Sequence, residues 1–404
     1  MSEVTDFRTH VRAWLADHAA AYHQDAAPEP PSLDESREFI ARMHAAELVG
    51  ITWPKAAGGW ERSEADYLTF VEETADHELP IDVFRIALGT IAPSILHYGT
   101  PEQVSEIGPR LLHGEVWCQL FSEPEVGSDL AGLRSTARKV DGGWVLDGRK
   151  VWNTGAHLSA WSVMLARTDV DVPKHEGITM FLVDMSDPGV DARPLRDNTG
   201  GVHFNEVAVE DVFVPDDMVL GAVNGGWGVA NHMLAHERMS VASGAARAER
   251  LTARTSYEAV SRAALDAGLL DHAARADLRG VFVSAHLFDV LRQRLAEEAD
   301  SGVAVGARGS AAKLLMGRHD VLAAQVATRV LGAEAAFLDP DDPDSAHLLR
   351  TILSSPSLAI AGGTEEIQKN IIAERVLGLP REPDPFKGRP FRELKVTGRP
   401  AQER

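Results

Sequence analysis

The chain has one cysteine, Cys118, among 404 residues. A single thiol excludes an internal disulfide and points to a reducing compartment. Long apolar runs are missing too: no stretch reaches the roughly 20 residues that a membrane-spanning helix needs. Net positive charge is also absent, the formal balance being −20, which argues against nucleic acid as a partner. A small anionic ligand stays open, because a local arginine pocket holds it whatever the net charge. The opening MSEVTDFRTHVRAWLADHAA carries acidic residues at helical spacing instead of a basic stretch followed by an apolar one, so no secretory leader is expected there. No internal repeat is visible. What remains is an acidic chain with 44% hydrophobic residues, expected to be cytoplasmic and long enough for two or three packed domains.

Residues 1–116 read as a helical domain. Phe7, Val11 and Leu15 recur at helical spacing, as do Phe39, Met43 and Leu48. Pro54 and Gly58-Gly59 mark a loop, and Thr100 with Pro101 form an N-cap and first-turn pair. From 117 to 225 the texture changes to short β-rich runs such as WSVMLART, ITMFLVDM and VHFNEVAV, which predict a β-barrel or sandwich. Within it, WVLDGRKVW alternates around Asp147-Gly148, a hairpin signal. Residues 226–382 return to long Ala- and Leu-rich helical segments, with LDPDDPDSAH as an acidic loop among them. The remainder, 383–404, is rich in Pro and Arg and is expected to be a poorly ordered tail. The expected class is α+β: helices, then a β-domain, then a helical bundle.

Four stretches carry candidate chemistry. EPEVGSD (123–129) is a loop whose backbone N–H groups and small hydroxyls suit an anionic or polar ligand, or it is a plain turn. In KVWNTG (150–155), Trp152 and Thr154 on one strand face would offer a flat ring and a hydroxyl to a planar heterocycle; the alternative is a core Trp with an edge Thr. The helix GWGVANHMLAHERMSVASGAARAERL has an apolar stripe of Ala230, Met233, Leu234, Val241 and Ala245, and Glu237 falls in it. A carboxylate among apolar groups has its pKa raised and suits a general base, or else it is half of a structural ion pair. In AIAGGTEEIQKN (359–370), Gly362 and Gly363 let a ligand approach the backbone, and Thr364 is an N-cap candidate for the next helix.

Together these stretches resemble the acyl-CoA dehydrogenase family over about residues 5 to 382. SEPEVGSD resembles the family's TEPxxGSD, VWNTG its WITNG, and GGTEEIQKNIIAERVLGLPRE its C-terminal signature; FNEVAVEDVFVPDDMVLG resembles the segment leaving its β-domain. The resemblance implies a C-terminal four-helix bundle, FAD as cofactor and α,β-desaturation of an acyl-CoA thioester. It places Gln119, Phe121, Ser122, Gly127, Ser128, Trp152, Asn153, Thr154, Thr364 and Glu366 at the flavin, and Ser128 and Arg238 on the acyl-CoA side. Many members carry the catalytic glutamate where this chain has Gly362. Others carry it where this chain has Glu237, the residue the helix stripe singles out. Glu237 is therefore the expected base. Gly362 offers its backbone N–H to the thioester carbonyl, and its missing side chain would make room for a branched or bulky acyl group. An electron-transferring flavoprotein is the implied acceptor, and the implied assembly is a homotetramer or a heterotetramer with a related chain. Two family elements that reach a neighbouring subunit's FAD are altered here, with Arg262 a lone candidate in one and Arg329 and Ala333 standing in the other. Two other readings share the fold: a flavin oxidase or monooxygenase, and a subunit that completes another chain's FAD site.

Overall fold

The structure, a computed structural model, describes residues 3–394 apart from 24–30, 244–246, 302, 304, 340–341 and 385. It opens with five helices: α1 (Glu3–His18), α2 (Leu33–Ala45), α3 (Glu64–Glu73), α4 (Ala92–Tyr98) and α5 (Pro101–Leu112). Their starts are written locally. Ser32, Ser63 and Thr100 each form a reciprocal capping box with the acid or amide three residues on, and Pro101 takes the first turn of α5. The spaced apolar residues Phe7, Val11, Leu15, Phe39, Met43 and Leu48 meet in one buried cluster.

The middle of the chain supplies β1 (Trp117–Leu120), β2 (Thr136–Val140), β3 (Gly143–Lys150), β4 (Trp161–Arg167), β5 (Ile178–Asp184), β6 (Val190–Leu195), β7 (Phe204–Pro215) and β8 (Val219–Leu220). The sheet runs β6-β7-β3-β2-β4-β5-β8, with β1 added in parallel beside β4. It curls so that Trp144 on β3 meets Phe181 on β5 edge-on, their ring centroids 5.7 Å apart.

The hairpin lies elsewhere than expected. Asp147 and Gly148 are inside β3, Asp147 opposite Thr136 and Gly148 opposite Val209. The turn is made by Asp141-Gly142, where Gly142 has φ +73°. Both dipeptides carry the turn signal. Gly148 answers a different need: a Cβ there would sit 2.1 Å from Ser135 Oγ, so glycine permits the close approach of β2.

Among the described residues six α-helices follow: α6 (Gly226–Ser243), α7 (Arg247–Asp266), α8 (His272–Asp300), α9 (Gly309–Leu331), α10 (Pro343–Leu358) and α11 (Glu365–Ile371). Val260, Leu278, Val281, Val326, Ala327 and Leu348 join α7, α8, α9 and α10 in one core, a four-helix bundle. The acidic LDPDDPDSAH segment is only partly loop: Asp342 caps α10 by accepting from the Ser345 N–H at 2.9 Å, and the helix starts at Pro343. Another core joins the first and second parts of the chain through α6, packing Ile91, Ile95, Trp117, Phe121, Val163 and Leu182 against Val229, Ala230 and Met233.

The C-terminal segment also departs from expectation. The described residues 386–394 are docked on the β-domain. Phe391 and Arg392 N–H groups donate to the Val172 and Val170 carbonyls at 2.8 and 3.0 Å, and the Arg167 guanidinium lies 3.6 Å from the Phe391 ring centre. Composition suggested disorder, but one aromatic ring on a buried guanidinium and an ion pair of Arg392 with Asp171 at 2.7 Å hold the segment in place. Among the described residues no helix is long and apolar enough to cross a membrane.

Candidate active site

The loop after β1 forms one wall. Gln119 is in β1 and half-buried, Phe121 is buried, and the Ser122 carbonyl accepts from the Val151 N–H at 2.9 Å. Beyond it Gly127 and Ser128 are exposed, and a Cβ on Gly127 would meet nothing within 4 Å, so the loop tip faces open space. The loop is a turn in form, and its tip is open.

The second wall is residues 151–155, and here the structure corrects the strand geometry. β3 ends at Lys150, so Trp152 and Thr154 are in a turn and not on one strand face. Trp152 has φ +62°, in the left-handed region that few bulky residues adopt. Its ring is 62% exposed and meets Phe204 edge-on at 6.0 Å. The Trp is therefore not a core residue. Asn153 points the other way and is buried. Its Nδ2 donates to the Gln119 carbonyl at 2.8 Å, while its backbone exchanges hydrogen bonds with Asn205 at 2.9 and 3.1 Å. Asn153 thus ties this turn to β1. Gln119 Oε1 and Asn153 Oδ1 are buried acceptors with no protein partner among the described residues, a pair that fits a bound group with N–H or O–H donors.

Glu237 and Gly362 form the third part. The N-terminus of α6 lies on β5, where a Cβ on Gly226 would clash with Thr179 at 2.6 Å. A few turns later the same helix brings Glu237 to Gly362. Gly362 has φ +67° and Gly363 φ +102°, so the chain reverses through two left-handed residues before α11. Thr364 caps α11 by accepting from the Ile367 N–H at 3.4 Å, and Gln368 Nε2 donates to the Gly362 carbonyl at 2.8 Å. A Cβ on Gly362 would lie 3.2 Å from Glu237 Oε1 and 3.3 Å from Lys313 Cε. The space that glycine vacates is therefore not left for an acyl group; the Glu237 carboxylate and the Lys313 stem take it. Glu237 is half-buried instead of buried, though its Oε2 is fully covered.

Lys313 was not singled out in the sequence. It is a buried lysine on α9, between the buried Ala312 and Met316, and its Nζ donates to the Leu358 carbonyl at 2.8 Å. The signal that found Glu237, a charge inside an apolar helix stripe, was present here too. Glu366 is exposed on α11. The side chain of Arg238 and those of Val241 and Ala245 lie outside the described residues. Arg262 is exposed on α7, and Arg329 pairs with Asp277 at 3.1 Å.

The electrostatics are uneven. Beside Glu237 on α6, His232 and His236 stand 4.5 Å apart, His232 stacks on His97 of α4 at 4.8 Å, and Ser94 Oγ is 2.9 Å from His232 Nδ1. Burial, then the neighbouring His236 and His97, push the His232 pKa down to about 4, and burial lowers that of His236. Arg318 and Lys369 hold Glu365 down at about 2. Burial pushes the Cys118 thiol up to about 12, which leaves it inert.

Comparison with known proteins matches all three parts of the chain to models of one family. A model of the acyl-CoA dehydrogenase N-terminal domain matches residues 1–115, one of the middle domain 118–212, and one of the C-terminal domain 224–377. Acyl-CoA dehydrogenase FadE34 of Mycobacterium tuberculosis is 39% identical over 94% of this chain, which spans 50% of that protein's length. Acyl-CoA dehydrogenase IpdE1 of the same organism is 35% identical, over 95% of this chain and 99% of its own. Among solved structures, the Tcur3481-Tcur3483 steroid ACAD has a TM-score of 0.77 at 25% identity, covering 94% of this chain and 98% of that one. The ChsE4-ChsE5 complex from Mycobacterium tuberculosis has a TM-score of 0.75 at 28% identity, covering 95% and 99%.

Proposed function

This chain belongs to the acyl-CoA dehydrogenase family of oxidoreductases, and on that premise we propose that it carries out FAD-dependent α,β-desaturation of an acyl-CoA thioester with Glu237 as the base. The observation that carries the reading is the coincidence of Glu237 Oε1 with the place of a side chain at Gly362, within 3.2 Å. A carboxylate on α6 stands where a residue of the C-terminal turn would otherwise put one.

Gln119, Phe121, Ser122, Gly127 and Ser128 would hold FAD from one wall, Trp152, Asn153 and Thr154 from the second, and Thr364 and Glu366 from the α11 end. The orphaned acceptors of Gln119 and Asn153 and the exposed Trp152 ring fit such a group. When bound, FAD supplies the acceptor for the substrate's β-hydride. Glu237 removes the α-proton, a task for a carboxylate in reach and partly shielded from water. The backbone N–H of Gly362 polarises the thioester carbonyl, and a fixed dipole aimed at the developing charge lowers the barrier. Ser128 and Arg238 serve the acyl-CoA side, and an electron-transferring flavoprotein takes the electrons onward. Glu237→Gln tests this directly: desaturation collapses while FAD content stays. A variant that kept its rate would sink the assignment of the base. Reduced flavin that is rapidly reoxidised by air would move the reading to an oxidase on the same fold.

A second reading concerns assembly. One of the similar solved structures is a two-chain complex, and FadE34 is about twice this chain's length. Arg329, at one of the two altered positions, is engaged with Asp277 of its own chain. A heterotetramer with a related chain, each supplying part of the FAD site, accounts for these features together; a homotetramer is the alternative. The flavin-to-protein ratio of the chain purified alone separates them, since near-stoichiometric FAD rules out dependence on a different partner.

A further inference from the structure

Lys150 is the last residue of β3 and is fully buried. Its ammonium has three donors and meets three acceptors: Glu123 Oε1 at 2.9 Å, the Leu165 carbonyl at 2.8 Å and the Phe121 carbonyl at 3.2 Å. The Glu123 carboxylate is equally well used. It accepts from the Arg134 N–H at 2.7 Å, from the Ser135 N–H at 2.9 Å and from Ser135 Oγ at 2.7 Å. Glu123 therefore closes the base of the loop that carries Gly127 and Ser128, and Lys150 bolts that base to β4 and to the start of the Trp152 turn. The adjoining hydrogen bond from the Val151 N–H to the Ser122 carbonyl, 2.9 Å, completes the joint.

An ion pair in this place is expensive compared with apolar packing, since two charges must leave water before their attraction offsets the loss. Burial works to raise the Glu123 pKa, and Lys150 and the backbone donors outweigh it, so the carboxyl sits below its ordinary range. What the pair provides that apolar packing does not is direction. Three carbonyl or carboxylate acceptors converge on one nitrogen, which fixes the loop in register against the turn.

We infer that Lys150 is a positioning residue of the flavin pocket: with Glu123 it sets the spacing between the Ser122–Ser128 loop and the Trp152–Thr154 turn, the two walls between which the ring would lie. The consequence for flavin rests on the FAD reading above; the locking of the two walls does not.

The test uses the whole chain and hydrogen exchange read by mass spectrometry, comparing wild type, Lys150→Met and a control, Val209→Ala, which opens a cavity in the core of the same domain. Lys150→Met is expected to speed exchange of residues 123–135 and 151–154 at least tenfold while β5 stays protected, and the control is not. Unchanged protection in Lys150→Met overturns the inference, as does equal loosening in the control. If Lys150→Met does not fold, Glu123→Gln keeps the shape and removes the charge, and the same two outcomes decide. FAD titration then reads the consequence: at least tenfold weaker binding and less quenched flavin fluorescence in Lys150→Met, with Val209→Ala like wild type. A wild-type chain that binds no FAD, alone or assembled with a related chain, sinks the FAD reading, while the exchange comparison still decides the role of Lys150.

Discussion

Glu237 Oε1 lies 3.2 Å from the point where a side chain on Gly362 would begin. Two residues 125 positions apart in sequence thus compete for one volume, and the chain resolves the competition with a glycine.

Gly362→Ala should therefore fail twice over. At φ +67° an L-residue costs about 1–2 kcal/mol, and the new methyl presses on the Glu237 carboxylate. We expect a lower melting temperature and a more than tenfold loss of desaturation with FAD retained. An unchanged rate would show that the carboxylate has room to spare and that its present position is not the working one.

Glu237→Gln keeps the shape and removes the basicity. Loss of a positioned proton acceptor costs about 10²–10⁴ in rate, so kcat should fall by that order at unaltered flavin content. Stopped-flow bleaching of the flavin by substrate separates the chemical step from binding.

Trp152 holds a left-handed backbone and a ring 62% exposed. Such a conformation serves stability poorly, and replacing it with glycine relieves strain of about 1 kcal/mol. Trp152→Gly should melt no lower than the parent, and it should bind FAD more weakly. A clear drop in melting temperature would mean that the ring packs for stability after all.

The His232 pKa is depressed from 6.5 to about 4 in the folded chain. Between these values the unfolded chain binds a proton that the folded chain refuses, so stability falls as pH drops through that window and levels off below it. Part of the slope belongs to His236, lowered in the same direction. His232→Gln should flatten, but not abolish, the decline in melting temperature between pH 6.5 and 4. An identical slope in the variant would assign the decline elsewhere.

Cys118 is fully buried, and its thiol is pushed up to about 12. A thiol reagent near neutral pH should modify the chain only at the rate of unfolding, and adding denaturant should release one fast-reacting thiol. Rapid modification of the native chain would contradict its burial.

Much of this was legible in the sequence because the signals are local. Capping boxes at Ser32, Ser63 and Thr100 need only residues three apart, and the stripe of α6 needs only a helical period. Glu237 stood out as a charge within that stripe. The Asp147-Gly148 dipeptide misled because a turn signal does not say whether a third strand claims the residue: β7 pairs with Gly148 past an irregularity at Asp147, and β3 runs on to Lys150. The tail misled for a like reason. Composition reports what a segment does alone, and Arg167, more than 200 residues upstream, gives Phe391 a surface to dock on.

The sequence by itself determined the order of helices, strands and helices and the glycine turn before α11, and it singled out Glu237 on α6, because each is written in residues close together. Only the tertiary structure decided what fills the space at Gly362, which way Asn153 points, and that Lys150 joins the two walls of the pocket. Those outcomes depend on backbone carbonyls and carboxylates brought together from distant segments, and no local pattern records which acceptors a buried nitrogen will meet.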